Sequence, residues 1–273
     1  MYKLIACDMD ETLLDEQAQV SQQNRDAIAK ARAAGVRFVL ASGRGFPAMQ
    51  TTAQILGMAN QTDEYMISFN GGAITENRGN RIIALQALTF EQVKTLFQIG
   101  LAYDVGFHIY TTESVFMYRI NQEERTYVEG RLDGYIELTS PDIDFLKDHQ
   151  LIKILFHNNE RHYLEQIKQH MPAEIVAQLS LSFSGNRYLE FNQKGVSKGN
   201  ALRFLAEKLN IKPTEIITIG DNNNDISMLS MAGLGIAVLN ATADAKAAAD
   251  YICSRDHTQS AIADVINRFV LNA

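Results

Sequence analysis

The chain has 273 residues, 46% of them hydrophobic and 21% charged, the balance of a soluble globular protein with room for one large domain or two ordinary ones. Its net charge of −7 argues against nucleic acid as a main partner, because binding a phosphate backbone needs a basic face, although it leaves room for a local basic pocket that takes one phosphate. Two cysteines, Cys7 and Cys253, exclude a disulfide framework, and with neither a secretory leader nor a membrane-length apolar run in view, a cytoplasmic protein that engages no membrane is expected.

KLIAC reads as a buried strand that runs straight into two carboxylates, Asp8 and Asp10. SQQNRDAIAKARAAG follows with Ala27, Ile28, Ala31 and Ala34 at helical spacing, Ser21 as N-cap and Gly35 as the stop. VRFVLAS is a second strand, FPAMQTTAQILGM a second helix and YMISF a third strand. Continuous apolar strands alternating with helices predict a parallel sheet covered on both faces.

From about Leu85 to Arg187 the texture changes. Aromatic residues and histidines concentrate there, with period-two stretches (VGFHIY, SVFMYRI) between helical ones (TFEQVKTLFQIGLAY, NNERHYLEQIKQHM). This predicts an α+β unit with an antiparallel sheet. The first texture then returns. SKGNALRFLAEKLN is an amphipathic helix with Ala201, Leu202, Leu205 and Leu209 on one side. EIITIG, DISMLSMAG, LGIAVL and TADAKAAA read as strand, helix, strand and short helix, and residues 258–269 as a last helix. The fold class expected is therefore α/β. A Rossmann-like, doubly wound parallel-sheet core (1–84 and 188–273) is interrupted by an inserted α+β domain (85–187).

In an open parallel sheet, ligands bind beyond the carboxyl ends of the strands. Four strands deliver polar groups to that rim: Asp8 and Asp10, then Ser42 and Gly43, then Asn70 and Gly71, and late in the chain Asp221, Asn224 and Asp225. Carboxylates gathered so closely repel one another unless a cation lies between them. An all-oxygen set with few protein ligands suits Mg²⁺ accompanied by a phosphate. Ser42 and Gly43 can offer a hydroxyl and an N–H to phosphate oxygens, and Lys198 adds a positive charge at a helix start. This set supports attack by a carboxylate on phosphorus, with a second carboxylate moving protons.

The same residues resemble the haloacid dehalogenase-like phosphatases, and among them the Cof-type phosphatases of sugar phosphates and phosphorylated cofactors. The family's D-x-D-x-T motif is matched by Asp8-Met9-Asp10-Glu11-Thr12, its strand-end Ser/Thr by Ser42 in ASGR, and its Lys by Lys198 in VSKGNAL. Its G-D-x-x-N-D motif is matched by Gly220 to Asp225, and the N-G loop ahead of the cap by Asn70-Gly71. The resemblance implies Asp8 as nucleophile and Mg²⁺ ligand, and Asp10 as general acid/base that also gives a backbone carbonyl to the metal. It implies Asp221 as a further ligand and Asp225 in the metal shell. Thr12, Ser42, Gly43, Asn70, Gly71, Lys198 and Asn224 would serve the phosphoryl group or substrate, with the inserted region as a cap over the site. Glu11 departs from the pattern, since most Cof-type members carry Gly there.

The function expected is thus a Mg²⁺-dependent phosphatase of small phosphorylated metabolites, as monomer or homodimer. The alternatives are a phosphomutase or phosphotransferase using the same aspartyl-phosphate, and a non-catalytic phospho-aspartate module. His108, His157, His162 and His170 lack ligand spacing and are expected on the surface of the inserted unit, and Glu190 as a structural contact near the domain junction.

Overall fold

The computed structural model describes residues 1–129, 132 and 134–272. It divides into two compact units, Met1–Leu85 with Ser197–Ala273, and Gln86–Val196. The first unit opens with β1 (Leu4–Cys7), α1 (Gln22–Ala33), β2 (Arg37–Ala41), α2 (Gln50–Ile55), β3 (Tyr65–Ser68), β4 (Ala73–Glu76) and β5 (Arg81–Leu85). The second unit holds α3 (Phe90–Leu101), β6 (Gly106–Thr111), β7 (Val115–Tyr118), α4 (Gln122–Val128), β8 (Ile136–Leu138), β9 (Leu151–His157), α5 (Arg161–His170), α6 (Ala173–Val176), β10 (Leu179–Ser184) and β11 (Tyr188–Gln193). The chain then completes the first unit with α7 (Lys198–Lys208), β12 (Ile216–Gly220), α8 (Ile226–Leu229), β13 (Leu234–Ala237), α9 (Ala243–Ala248), β14 (Tyr251–Ile252) and α10 (Ala261–Ile266).

The first unit's sheet runs β14-β13-β12-β1-β2-β3-β4-β5. It is parallel from β14 to β3, and β4 and β5 add an antiparallel extension. All four residues of β1 are buried, as in a strand covered on both faces. Leu4, Ala6, Val39, Ala41 and Ile67 share one cluster with Ala201, Leu202 and Leu205 of α7. The alternating residues Ile5, Phe38 and Leu40 are equally buried and turn the other way, toward the side where α1 packs on β2 and α10. α1 starts where expected, with the Ser21 hydroxyl accepting from the Asn24 N–H at 3.2 Å, and Gly35 just past its end takes φ +87°. The strand order reverses at β1 and β12, so the crevice beyond their carboxyl ends is the switch point where such sheets bind ligands.

The second unit's sheet runs β10-β11-β9-β6-β7-β8. It is antiparallel except for the parallel pair β7–β8. Phe107, Ile109, Ile154, Phe156, Leu189 and Phe191 form its apolar core with α3 and α5. The expected return to the core at residue 188 is corrected to 197: β11 is hydrogen-bonded between β10 and β9, so Tyr188–Gln193 belongs to this sheet.

The opposite sheet face corrects a second expectation. His162 and His170 are exposed, but His108 and His157 are buried. The reason is Glu124, itself fully buried on α4. His108 Nε2 lies 3.1 Å and His157 Nε2 2.9 Å from its carboxylate. The Tyr188 hydroxyl donates to it at 2.6 Å, and Arg187 Nη1 at 3.2 Å. Glu190 is likewise interior, paired with Lys153 at 2.7 Å.

Burial alone would raise the Glu124 carboxyl, but His108, His157 and Tyr188 outweigh it and hold it well below the usual 4.5. Burial holds His108 below the usual 6.5, although Glu124 pulls the other way. In both cases the folded state binds fewer protons than the unfolded, so stability rises with pH. The His108 contribution is complete above 6.5 and is lost as the pH falls from there toward the lowered folded value; the Glu124 contribution follows below 4.5. Hydrogen exchange of β6 and β9 amides, corrected for intrinsic rates, is therefore expected to lose protection between about pH 7.5 and about pH 5.5. Unchanged protection would contradict this account.

Candidate active site

Lys198 is the first residue of α7, whose N-cap is Ser197, and it is fully buried. Its ammonium donates to Asp8 Oδ1 at 2.5 Å and to Asp225 Oδ1 at 2.6 Å. The close packing of α7 on α8 that permits this depends on Gly199, where a Cβ would collide with the Ser227 carbonyl. Asp225 accepts through Oδ2 from the N–H groups of Asp221 and Asn222, each at 3.0 Å. Both its oxygens are therefore engaged inward. It sits in the acidic cluster but also pins the loop that carries Asp221.

Thr12 is corrected in a similar way. It was expected at the phosphoryl group, yet it is fully buried and its hydroxyl donates to Asp221 Oδ1 at 2.6 Å. It orients a carboxylate. The i,i+4 pair Asp8 and Thr12 thus reaches two partners from distant parts of the chain, Lys198 and Asp221.

Ligand oxygens of Asp8, Asp221 and Asp225 lie within 4.8 Å of one another, and all three residues are buried. Burial first and Asp225 second push the Asp8 carboxyl well above its usual value, with Lys198 opposing. The same two causes push Asp221 up to about 6. Burial alone would lower Lys198, but Asp225 and Asp8 outweigh it and raise the ammonium's pKa. Three carboxylates face one buried ammonium, and Asp8 and Asp221 hold their protons more tightly than free carboxylates do. A divalent cation would balance the remaining charge. The all-oxygen donor set suits Mg²⁺, so the residues fit the metal expected.

The other expected residues gather around this centre. Ser42 is buried at the end of β2, and its hydroxyl accepts from the Arg44 N–H at 3.1 Å. Asn224 Nδ2 donates to Asn70 Oδ1 at 3.0 Å, and a Cβ on Gly43 would touch that same Asn70 oxygen at 3.1 Å. Asn70 has φ +58° and Gly71 φ +99°. At Gly71 a side chain would also strike the Ser197 carbonyl, so this turn and the start of α7 depend on a glycine.

Asp10 differs from Asp8. Its side chain is 53% exposed and meets both arms of the Arg44 guanidinium, Nε to Oδ2 at 2.9 Å and Nη2 to Oδ1 at 2.5 Å. Directly after Ser42-Gly43, Arg44 is open in the sequence to two readings, a substrate contact or a partner for a carboxylate, and it pairs with the carboxylate of Asp10. Glu11 is exposed, with φ +58°. Asn240 Nδ2 donates to its carbonyl at 2.8 Å. The turn therefore holds a glutamate in the left-handed region that a glycine enters freely, at a cost of about 1–2 kcal/mol.

The family model of the haloacid dehalogenase-like hydrolases matches residues 5–266. YxeH of Bacillus subtilis is 30% identical over 272 residues, 99% of each chain. The 5-amino-6-(5-phospho-D-ribitylamino)uracil phosphatase YcsE of the same organism is 26% identical over 273 residues, 98% of this chain and 96% of its own. A crystal structure of a haloacid dehalogenase-like hydrolase from Bacteroides thetaiotaomicron superposes with a TM-score of 0.85 at 26% identity, covering 98% of this chain and 99% of that one.

Proposed function

The chain belongs to the haloacid dehalogenase-like hydrolase family, and we propose that it is a Mg²⁺-dependent phosphatase of small phosphorylated metabolites that works through an aspartyl-phosphate on Asp8. The observation that carries this reading is the Lys198 ammonium, 2.5 Å from Asp8 Oδ1 within a buried cluster of three carboxylates. The phosphatase activity named for YcsE, on a phosphorylated ribitylamino compound, supports the substrate class.

The carboxylates of Asp8 and Asp221 and the carbonyl of Asp10 would hold Mg²⁺, with Asp225 behind them. Bound there, the metal supplies positive charge against the phosphoryl oxygens. The chain's own residues account for the rest. Lys198, the Ser42 hydroxyl and the Gly43 N–H orient the phosphoryl oxygens, while Asn70, Gly71 and Asn224 border them. An Asp8 oxygen forms a bond to phosphorus as the bond from phosphorus to the ester oxygen breaks, and the carboxyl proton of Asp10 passes to that departing oxygen. Asp10 then takes a proton from water, whose oxygen attacks phosphorus, releases inorganic phosphate and restores the Asp8 carboxylate.

The test is phosphate release from a panel of phosphorylated metabolites, with Mg²⁺ and with a chelator. Mg²⁺ removal is expected to lower the rate by at least about 100-fold, the loss of several kcal/mol of charge stabilisation. Sugar-phosphate isomerisation without phosphate release would instead identify a mutase. No release from any substrate by folded, Mg²⁺-binding protein would sink the proposal.

A further inference from the structure

We propose that Arg44 is a positioning residue for Asp10, tying the loop that holds the phosphoryl group to the loop that carries the acid/base. This rests on the phosphatase reading, in which Asp10 moves the protons. The observation is a fork: Nε and Nη2 of one guanidinium meet the two oxygens of one carboxylate at 2.9 and 2.5 Å.

Each end is anchored differently. The Arg44 backbone is fixed on both sides, its N–H donating to Ser42 Oγ at 3.1 Å and its carbonyl accepting from the Phe69 N–H at 2.8 Å. The Asp10 turn is held through its main chain, by the Leu13 and Leu14 N–H groups on the Met9 carbonyl at 3.0 and 2.9 Å and by Asn240 on Glu11. The Asp10 side chain itself stands out from the turn, 53% exposed. Among the described residues, Arg44 is the group that sets its direction. An exposed single-contact ion pair adds little to stability. A bidentate fork adds direction, which a lysine cannot reproduce. With both contacts made Asp10 is a carboxylate poised to take the proton from water, and it releases one contact when it carries a proton to the departing oxygen. Both transfers demand that direction, and misplacement by about 1 Å costs on the order of 100-fold in rate.

The experiment compares wild type, Arg44→Ala, Arg44→Lys and Asp10→Ala with Mg²⁺ present, in single-turnover cleavage of an alkyl phosphate and of p-nitrophenyl phosphate. The aryl leaving group departs without a proton, so it isolates the contribution of the acid. For the alkyl phosphate, Arg44→Ala is expected to lower the rate at saturation by about 10- to 100-fold. KM should move less than about threefold, and melting temperature should hold. The aryl phosphate should lose far less, and Arg44→Lys should recover only part of the alkyl loss. A rise in KM at an unchanged saturated rate would make Arg44 a substrate contact and overturn the proposal. Equal losses on both substrates, or none on either, would overturn it too. Asp10→Ala as active as wild type on the alkyl phosphate would overturn the reading of Asp10 first, and the role of Arg44 with it.

Discussion

Asp8→Asn is expected to lower phosphate release by at least about 10⁴-fold, because the substitution keeps the side chain's shape and removes the nucleophile of the proposed mechanism. An amide retains one carbonyl oxygen for Lys198 but has no anionic oxygen to form a bond to phosphorus. The variant should still fold. In the metal-free protein Asp8 is buried beside Asp225 and Asp221, and its carboxyl is held above its usual value by burial and by Asp225. Removing that charge relieves repulsion, so the metal-free melting temperature should not fall. Mg²⁺ should raise the variant's melting temperature less than it raises that of wild type, because one ligand charge is gone. Phosphate release by Asp8→Asn within about tenfold of wild type would rule out a covalent intermediate on Asp8.

Lys198→Met carries the second large effect, on stability as well as rate. Methionine fills a similar volume but leaves Asp8 and Asp225 facing each other without the ammonium that now lies 2.5 and 2.6 Å from them. Breaking a buried ion pair by removing one partner costs about 3–5 kcal/mol, so the metal-free variant should melt well below wild type. Mg²⁺ should recover part of that deficit by adding charge to the same cluster. Activity should remain low even at saturating Mg²⁺, because the cation that in the proposed mechanism orients the phosphoryl oxygens is absent. Calorimetry with and without Mg²⁺ checks both halves. A metal-free variant as stable as wild type would mean that the carboxylates already share protons and do not need Lys198.

The two predictions depend on features legible to different degrees in the sequence. Asp8, Ser42, Asn70 and Asp221 were readable because each closes a short apolar strand, and strand ends in a parallel sheet share one rim. Lys198 was readable because it opens a strongly periodic helix after a glycine. What Thr12 and Asp225 touch was not. Both looked like rim residues, and only the packing of α7 on α8 and the turn after β1 decide that Thr12 reaches Asp221 and that Asp225 turns inward to two N–H groups. For Arg44, pairing with a carboxylate was readable as one of two options, but which carboxylate was not, since Asp10 lies 34 positions away in sequence. The burial of His108 and His157 escaped because histidine alternates with apolar residues on a strand equally well on a wet face or a buried polar one. Glu124, the residue that decides the matter, comes from a separate helix. The late boundary at 197 has the same cause: YLEF reads as a strand of either unit until its hydrogen-bond partners are known.

The place of β1 at the middle of its sheet also governs the order in which the molecule can take shape during synthesis. β1 leaves the ribosome well before one of its two neighbours, β12, which pairs with it through residues 216–219. At roughly 5–20 residues per second, the strand that runs into Asp8 waits on the order of ten seconds or more for the partner beside it. The second unit, by contrast, is one uninterrupted stretch, Gln86–Val196, whose strands are all available before α7 is made. A nascent chain whose residues up to about 196 have emerged from the ribosome should therefore already protect the amides of β6, β9 and β11, while β1 remains open on its β12 side.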